Sequence, residues 1–447
     1  MTIFLVYIII LAFICVRDFL RKPTAADFVV AGRNQGVFGV YASLVATIIG
    51  ASATIGVAES AKNIGWPAFW WLAAGAVGLL LQAAFLTSRI AKFKPCSLPE
   101  LAEKLVSSSA KKIAGSIIAI AWVGIVAAQF YIGYEFIKLF SLEWLSRESG
   151  VIIAGAITIC YTMCGGQLSV VRTDKLQAMI IIAAFIAVTI AIAFGGVTGV
   201  DSPNQTLPQF ELLNSNFGWE KLVLMLFAAG GAFFLGPDVV SRSFIARTPK
   251  HAKLATVLAA VTILVLGIII TFIGLWDASK FPSSNDNPLI HISTLLPLPL
   301  KLLFSLGLIS VLLSSANTCL INCAVIVNRD ILNCGSVRSM RFTVLAIGLV
   351  AMSLAFLDYG IIELLLLSYS IYTPGIAIPL AVALFAQSRG RVRSGMWLLA
   401  AGIGGFCGLI SAIIPSLPSF LPIYGGCISL ILSALAIKKK LNCRLRK

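Results

Sequence analysis

Ser43-Leu-Val-Ala-Thr-Ile-Ile-Gly-Ala-Ser-Ala-Thr-Ile-Gly56 is apolar enough to lie in a membrane, yet Gly, Ser and Thr crowd its middle. A helix built this way unwinds readily. In a bilayer, an unwound turn exposes carbonyls to a cation and a half-helix N-terminus to an anionic group. A second stretch, Phe227-Ala-Ala-Gly-Gly-Ala-Phe-Phe-Leu-Gly-Pro-Asp238, has the same character, and Pro237 removes a backbone donor there. Close packing of helices through small residues is the plain alternative for both.

The surrounding sequence sets these stretches in a membrane protein. Of 447 residues, 59% are hydrophobic and 12% charged, about half the charged share of a soluble domain. Apolar runs near 20 residues recur along the chain, each long enough to cross a bilayer. Thirteen windows result, at about 2–16, 37–58, 66–90, 113–138, 150–165, 175–196, 219–241, 251–275, 301–327, 339–357, 361–386, 395–415 and 422–437. They are numbered here as spans 1 to 13. The chain therefore reads as an all-α polytopic membrane protein.

The net charge of +16 does not indicate nucleic acid. Its basic residues lie in short clusters between apolar runs, such as Arg389-Arg391-Arg393 and Lys438-Lys439-Lys440, with no aromatic-interleaved basic face. With the N-terminus outside, 28 Lys and Arg fall on the cytoplasmic side and 6 on the outer side (Lys62, Lys138, Arg147, Lys221, Lys280 and Lys301). That asymmetry follows the positive-inside rule and favours an odd number of crossings, with the C-terminus inside. The expected location is a bacterial inner membrane. The ten Cys form no CxxC and read as packing residues. Asn204-Gln205-Thr206 is a lone acceptor-like match. Between spans 8 and 9, Asn287-Pro288 and the amphipathic Leu289–Leu296 suggest a re-entrant or interfacial helix.

The two weak stretches belong to spans 2 and 7, five spans apart. Spans 2–6 and 7–11 would then be five-helix repeats, and an odd repeat length inverts one against the other. The expected organisation is an extra N-terminal helix (1–25), a first repeat (26–196), a second inverted repeat (219–388), and two C-terminal helices with a basic tail (394–447). Span 9 adds Ser314, Ser315, Asn317, Thr318 and Asn322, which at ~100° per residue cover one face of about 160°. Hydroxyl and amide oxygens grouped this way suit a hard monovalent cation. Ser and Thr bonding back to their own helix is the other reading.

At this point the sequence resembles the sodium:solute symporter family, whose members share the LeuT-type inverted-repeat fold. The likeness starts at Asp27-Phe28-Val29-Val30-Ala31-Gly32-Arg33 and passes through Ser43–Gly56 and Gln129-Phe130-Tyr131-Ile132-Gly133. It continues through Gly165–Gln177, Pro237–Arg242, Ser314–Asp330 and Gly375–Pro379 with Phe385. The resemblance implies a main sodium site made by the Ala46, Ile49 and Val311 carbonyls with the Ser314 and Ser315 hydroxyls. It implies a possible second site at Asp174, Asn317 and Thr318, although Asn317 stands where other members carry a hydroxyl. Asp174-x-x-Gln177 also reads as a helix N-cap with its box partner. The implied solute pocket comprises Ser52, Ala53, Gly56, Gln82, Gln129, Ala232, Phe233 and Gly236, with Tyr369 and Tyr131 as weaker candidates. Ala53 replaces the long amide of sugar-transporting members, which argues against a sugar.

The expected function is secondary active transport: sodium-coupled symport of a small organic acid, amino acid or similar polar metabolite. The expected partners are that solute, Na⁺ and the lipid bilayer, with no nucleic acid and no obligate protein partner. Proton coupling is the nearest rival, but His251 and His291 lie in loops and midplane carboxylates are scarce. A channel filter, an HExxH constellation and a fused signalling module have no counterpart in the sequence. Asp238 and Arg242 are spaced for an i,i+4 ion pair, and Tyr7, Trp70, Trp71 and Trp122 are expected to anchor at interfaces or pack.

Overall fold

The computed structural model describes residues 2–133, 146–197, 208–357, 361–387, 390–414 and 416–439. The end of the fourth window, Lys138 and the Asn204-Gln205-Thr206 match lie outside them. Among the described residues, nine helices are long and apolar enough to cross a bilayer, or ten if the bent pair Val37–Ile48 and Ser52–Ile64 is one crossing. Helix length and composition thus mark nine or ten of the described helices as candidate crossings, beside the thirteen hydropathy windows. Windows 5 and 6 share one helical element, Arg147–Ala193, and window 13 is a helix of 15 residues, Leu421–Leu435.

The long element is not straight. Gly166 has φ 63° and ψ −161°, which interrupts the helix between spans 5 and 6. A side chain there would be strained by the positive φ, and its Cβ would also lie 2.5 Å from the Phe28 ring. The short helix Ala25–Val30, started by a Thr24/Asp27 capping box, docks against this element, with the Phe28 ring at the Gly166 break.

Two packed groups organise the remainder. Spans 2, 3 (Trp66–Ala91), 7 (Trp219–Ile245) and 8 (Pro249–Lys280) pack on one another as a bundle. Span 4 (Ser108–Tyr131), the Arg147–Ala193 element, span 9 (Leu298–Ile331) and span 10 (Val337–Leu354) form a second mutually packed set. The amphipathic stretch after Asn287 is a helix, Pro288–Leu295, as its pattern predicts. Asn287 caps it and donates from Nδ2 to the Ile55 carbonyl at 3.0 Å, tying it to span 2 beyond its break. Helix Ser394–Ile413 lies close against span 11, where Gly404 and Gly408 face the Pro374 and Ser370 carbonyls. Gly390–Val392 and Ile437–Lys439 pair antiparallel, joining the segment before that helix to the tail.

Candidate ion and solute site

Both weak stretches do break. Span 2 is helical to Ile48. Ile49 then takes ψ 66°, and the chain resumes as a π-helical turn over Ser52–Gly56. The two halves meet at 58°. Span 7 passes through a π-helical turn at Leu226–Gly230 and breaks at Gly236, whose ψ is 144°, before Pro237 starts the next helix. Proline suits that first helical position because its missing N–H would have no partner there. The half-helices Val37–Ile48 and Pro237–Ile245 are held together at their ends, where Gln35 N–H donates to the Ile245 carbonyl and Arg247 N–H to the Gln35 carbonyl.

Span 9 lies against the first break. Ser315 Oγ donates to the Thr47 carbonyl at 2.7 Å and lies 3.4 Å from the Ala46 carbonyl. Gly50 permits this approach: a Cβ there would sit 2.4 Å from Ser315 Oγ. Ala46, Ile49, Val311, Ser314 and Ser315 are all buried. The distances bring the Ser315 hydroxyl to the Ala46 and Thr47 carbonyls at the break, which are hard, uncharged oxygens. Ser314 Oγ donates to Asp174 Oδ1 at 2.7 Å, leaving its lone pairs for a cation. The Thr47 carbonyl, which sequence comparison does not single out, joins this group.

The second set comes together differently. Asp174 is inside a helix rather than at its N-cap, and it accepts hydrogen bonds from Ser43 and Ser314. Asn317 turns toward span 5, where Thr162 Oγ1 donates to its Oδ1 at 2.9 Å. Between Asp174 and Thr318 lies the guanidinium of Arg242, which is 0% exposed. Its Nη2 donates to Thr318 Oγ1 and to Thr47 Oγ1 (3.0 Å) and sits 3.6 Å from Asp174 Oδ2. The i,i+4 pair with Asp238 does not form. Asp238 Oδ1 instead accepts from the Val239 N–H at 3.0 Å. All three contacts run through Nη2, while Arg242 Nε and Nη1 are buried without a hydrogen-bond partner. Removing one partner of such a pair strands a charge and costs about 3–5 kcal/mol.

Near the two breaks, aromatic side chains pack together. Tyr369 stacks on Trp71 with centroids 6.2 Å apart and meets the Phe233 ring edge-on at 6.2 Å, while Trp122 meets Tyr372 at 4.8 Å. Trp71 and Trp122 are thus buried packing residues rather than interface anchors. Trp70 donates from Nε1 to the Leu212 carbonyl, and Tyr7 packs inward with its hydroxyl on Ser310 Oγ. Trp71, Gly75, Gly78 and Gln82 share one face of span 3, the face toward Phe233. Trp122 and Gln129, seven residues apart, share a face of span 4, and a Cβ on Gly50 would lie 3.7 Å from Gln129 Oε1. Gln82 Oε1 and Nε2, Gln129 Oε1 and Trp122 Nε1 are buried without hydrogen-bond partners. Ser52, Ala53, Gly56, Ala232 and Gly236 lie at the two breaks and are buried.

The broken helices, the two packed groups and the oxygen cluster between spans 2 and 9 define a membrane transporter of the LeuT type. Solved structures agree on the fold. A Na⁺-coupled sialic acid symporter in its substrate-bound outward-open state aligns with TM-score 0.78 at 18% identity, covering 97% of each chain. A nucleobase-cation-symport family transporter in a closed conformation aligns with TM-score 0.67 at 14% identity, covering 93% of this chain and 94% of that one. The model of the sodium:solute symporter family matches residues 28–394, and the chain belongs to that family. It is 25% identical to the osmoregulated proline transporter OpuE of Bacillus subtilis over 73% of this chain and 69% of that protein. It is also 25% identical to sodium/glucose cotransporter 4 of Danio rerio, over 53% of this chain and only 40% of that protein's length.

Proposed function

We propose that the chain is a sodium-coupled symporter that carries a small organic solute into the cell by alternating access. The observation that carries this reading is the break of span 2 laid against Ser315. Sodium from outside binds the Ala46, Ile49 and Val311 carbonyls with the Ser314 and Ser315 hydroxyls. It thereby bridges the bundle of spans 2, 3, 7 and 8 to the second helix set. Five neutral oxygens hold the ion weakly enough to release it into low cytoplasmic sodium. Each ion moving through ~100 mV supplies about 2.3 kcal/mol. A tenfold sodium ratio adds roughly 1.4 kcal/mol, so one ion sustains a solute gradient of roughly 500-fold.

The solute sits between the two breaks, with Gln82, Gln129 and the Trp122 N–H as polar contacts and Phe233 and Tyr369 as the apolar wall. Buried polar groups without partners are costly, and a solute that satisfies them is bound selectively. This pattern favours a compact amino or imino acid, or a similar polar metabolite, over a large sugar. The relatives include the Bacillus subtilis proline transporter and a sodium/proline symporter of Staphylococcus saprophyticus. We place the protein in a bacterial inner membrane, with its N-terminus outside and its C-terminus cytoplasmic. Uptake of radiolabelled proline, glucose and sialic acid into proteoliposomes, under Na⁺ and K⁺ gradients of equal size, tests this. Accumulation of at least one solute under Na⁺ alone is expected; none under Na⁺, with uptake driven by a proton gradient, contradicts it.

A further inference from the structure

We infer that Arg242 is a tethered cation that fills the second ion position, so that the chain binds a single Na⁺ per transport cycle. The inference rests on the proposed sodium coupling and extends it to stoichiometry. A second ion would need the oxygens of Asp174, Asn317 and Thr318. Two of those residues already face a positive charge: Nη2 of Arg242 contacts Thr318 Oγ1 and lies 3.6 Å from Asp174 Oδ2, with Thr47 Oγ1 at 3.0 Å as a further acceptor. The third, Asn317, is turned away to Thr162. Arginine cannot lose its proton in a protein, so the position carries a permanent cation.

Charge balance leads to the same conclusion. Asp174 and Arg242, both 0% exposed, neutralise each other. The carboxylate that a second sodium ion would need is therefore already balanced, whereas the main site uses neutral carbonyls and hydroxyls and needs no free carboxylate. Ser314, a member of the proposed main site, donates to Asp174 at 2.7 Å. The tethered cation thus holds Asp174 and Ser314 in position for the single mobile ion. Arg242 lies on the half-helix Pro237–Ile245, so movement of that half-helix also moves the guanidinium.

Equilibrium binding of ²²Na⁺ to purified protein tests this without knowledge of the solute. The wild-type chain should bind one ion, and Ser315→Ala should lose it. The paired variant Asp174→Asn with Arg242→Gln removes the carboxylate along with its cation and should bind no second ion; two ions on it would overturn the inference. Arg242→Gln alone leaves the carboxylate without its cation and should bind two ions. Two ions on the wild-type chain, or one ion on Arg242→Gln, would overturn the inference while leaving sodium coupling intact. No ion on the wild-type chain would overturn the sodium reading and this inference with it. The wild-type count stands even if a charge variant fails to fold.

Discussion

Gly50→Ala places a methyl group where the break of span 2 meets span 9. The added Cβ would lie 2.4 Å from Ser315 Oγ and 2.9 Å from Ser315 Cβ, about 1 Å inside ordinary contact. Relief requires rotating Ser315 away from the Thr47 carbonyl or separating the two spans. Either change misplaces an oxygen proposed to bind sodium. Overpacking of this kind costs about 1–3 kcal/mol. If that strain falls on the bound state, sodium affinity drops about 5- to 150-fold. The assay is sodium-dependent thermal stabilisation of purified protein, titrated to saturation and compared with Gly36→Ala. Gly36 has nothing within 4 Å of its would-be Cβ, so that control should titrate like wild type. The strain should also shrink by about 1 kcal/mol in a Ser315→Ala background, measured in the absence of sodium as a double-mutant cycle. A Gly50→Ala protein that binds sodium with wild-type affinity and unfolds at the wild-type temperature would refute this account of the break.

Gly78→Ala brings a Cβ to 2.4 Å from the Gly230 carbonyl and 2.9 Å from Phe233 Cβ. Backbone cannot yield as a side chain can, so a loss of about 1–3 kcal/mol in stability is expected from unfolding measurements, with sodium stabilisation retained. Gln129→Ala removes one of the polar atoms left without a partner. It should weaken solute binding about tenfold, the equivalent of one buried hydrogen bond of about 1.4 kcal/mol. Its sodium titration should be unchanged, which a competition assay on the transported solute would check.

Much of this architecture was legible because the bilayer restricts what a sequence can do. Apolar windows located the helices, and the Gly, Ser and Thr clusters located both breaks, which fall at Ile49 and Gly236. Amphipathicity correctly marked Pro288–Leu295. The gap between windows 5 and 6 coincides with the break at Gly166, where a single glycine in an otherwise continuous helical element separates the two spans. In the site, spacing rules misled where long-range contacts prevailed. Asp238 and Arg242 sit four residues apart, yet the arginine reaches Asp174, 68 positions earlier. Asp174 resembled a helix cap because local sequence does not reveal that Ser43 and Ser314 converge on it. The five polar residues of span 9 form one face in a helical projection, but in the structure that face divides among neighbours. Ser315 meets span 2, Ser314 meets Asp174, Asn317 meets Thr162, and Thr318 meets Arg242.

The central claim is that sodium binds between the break of span 2 and Ser315. The most direct measurement is thermal stability of the purified protein in Na⁺ against K⁺ at equal ionic strength, with Ser315→Ala alongside. At ~100 times its dissociation constant, a ligand adds about 2.7 kcal/mol of stability. The account predicts saturable stabilisation by Na⁺ that the variant lacks. Equal stability in the two salts, or Na⁺ stabilisation undiminished in Ser315→Ala, would contradict it.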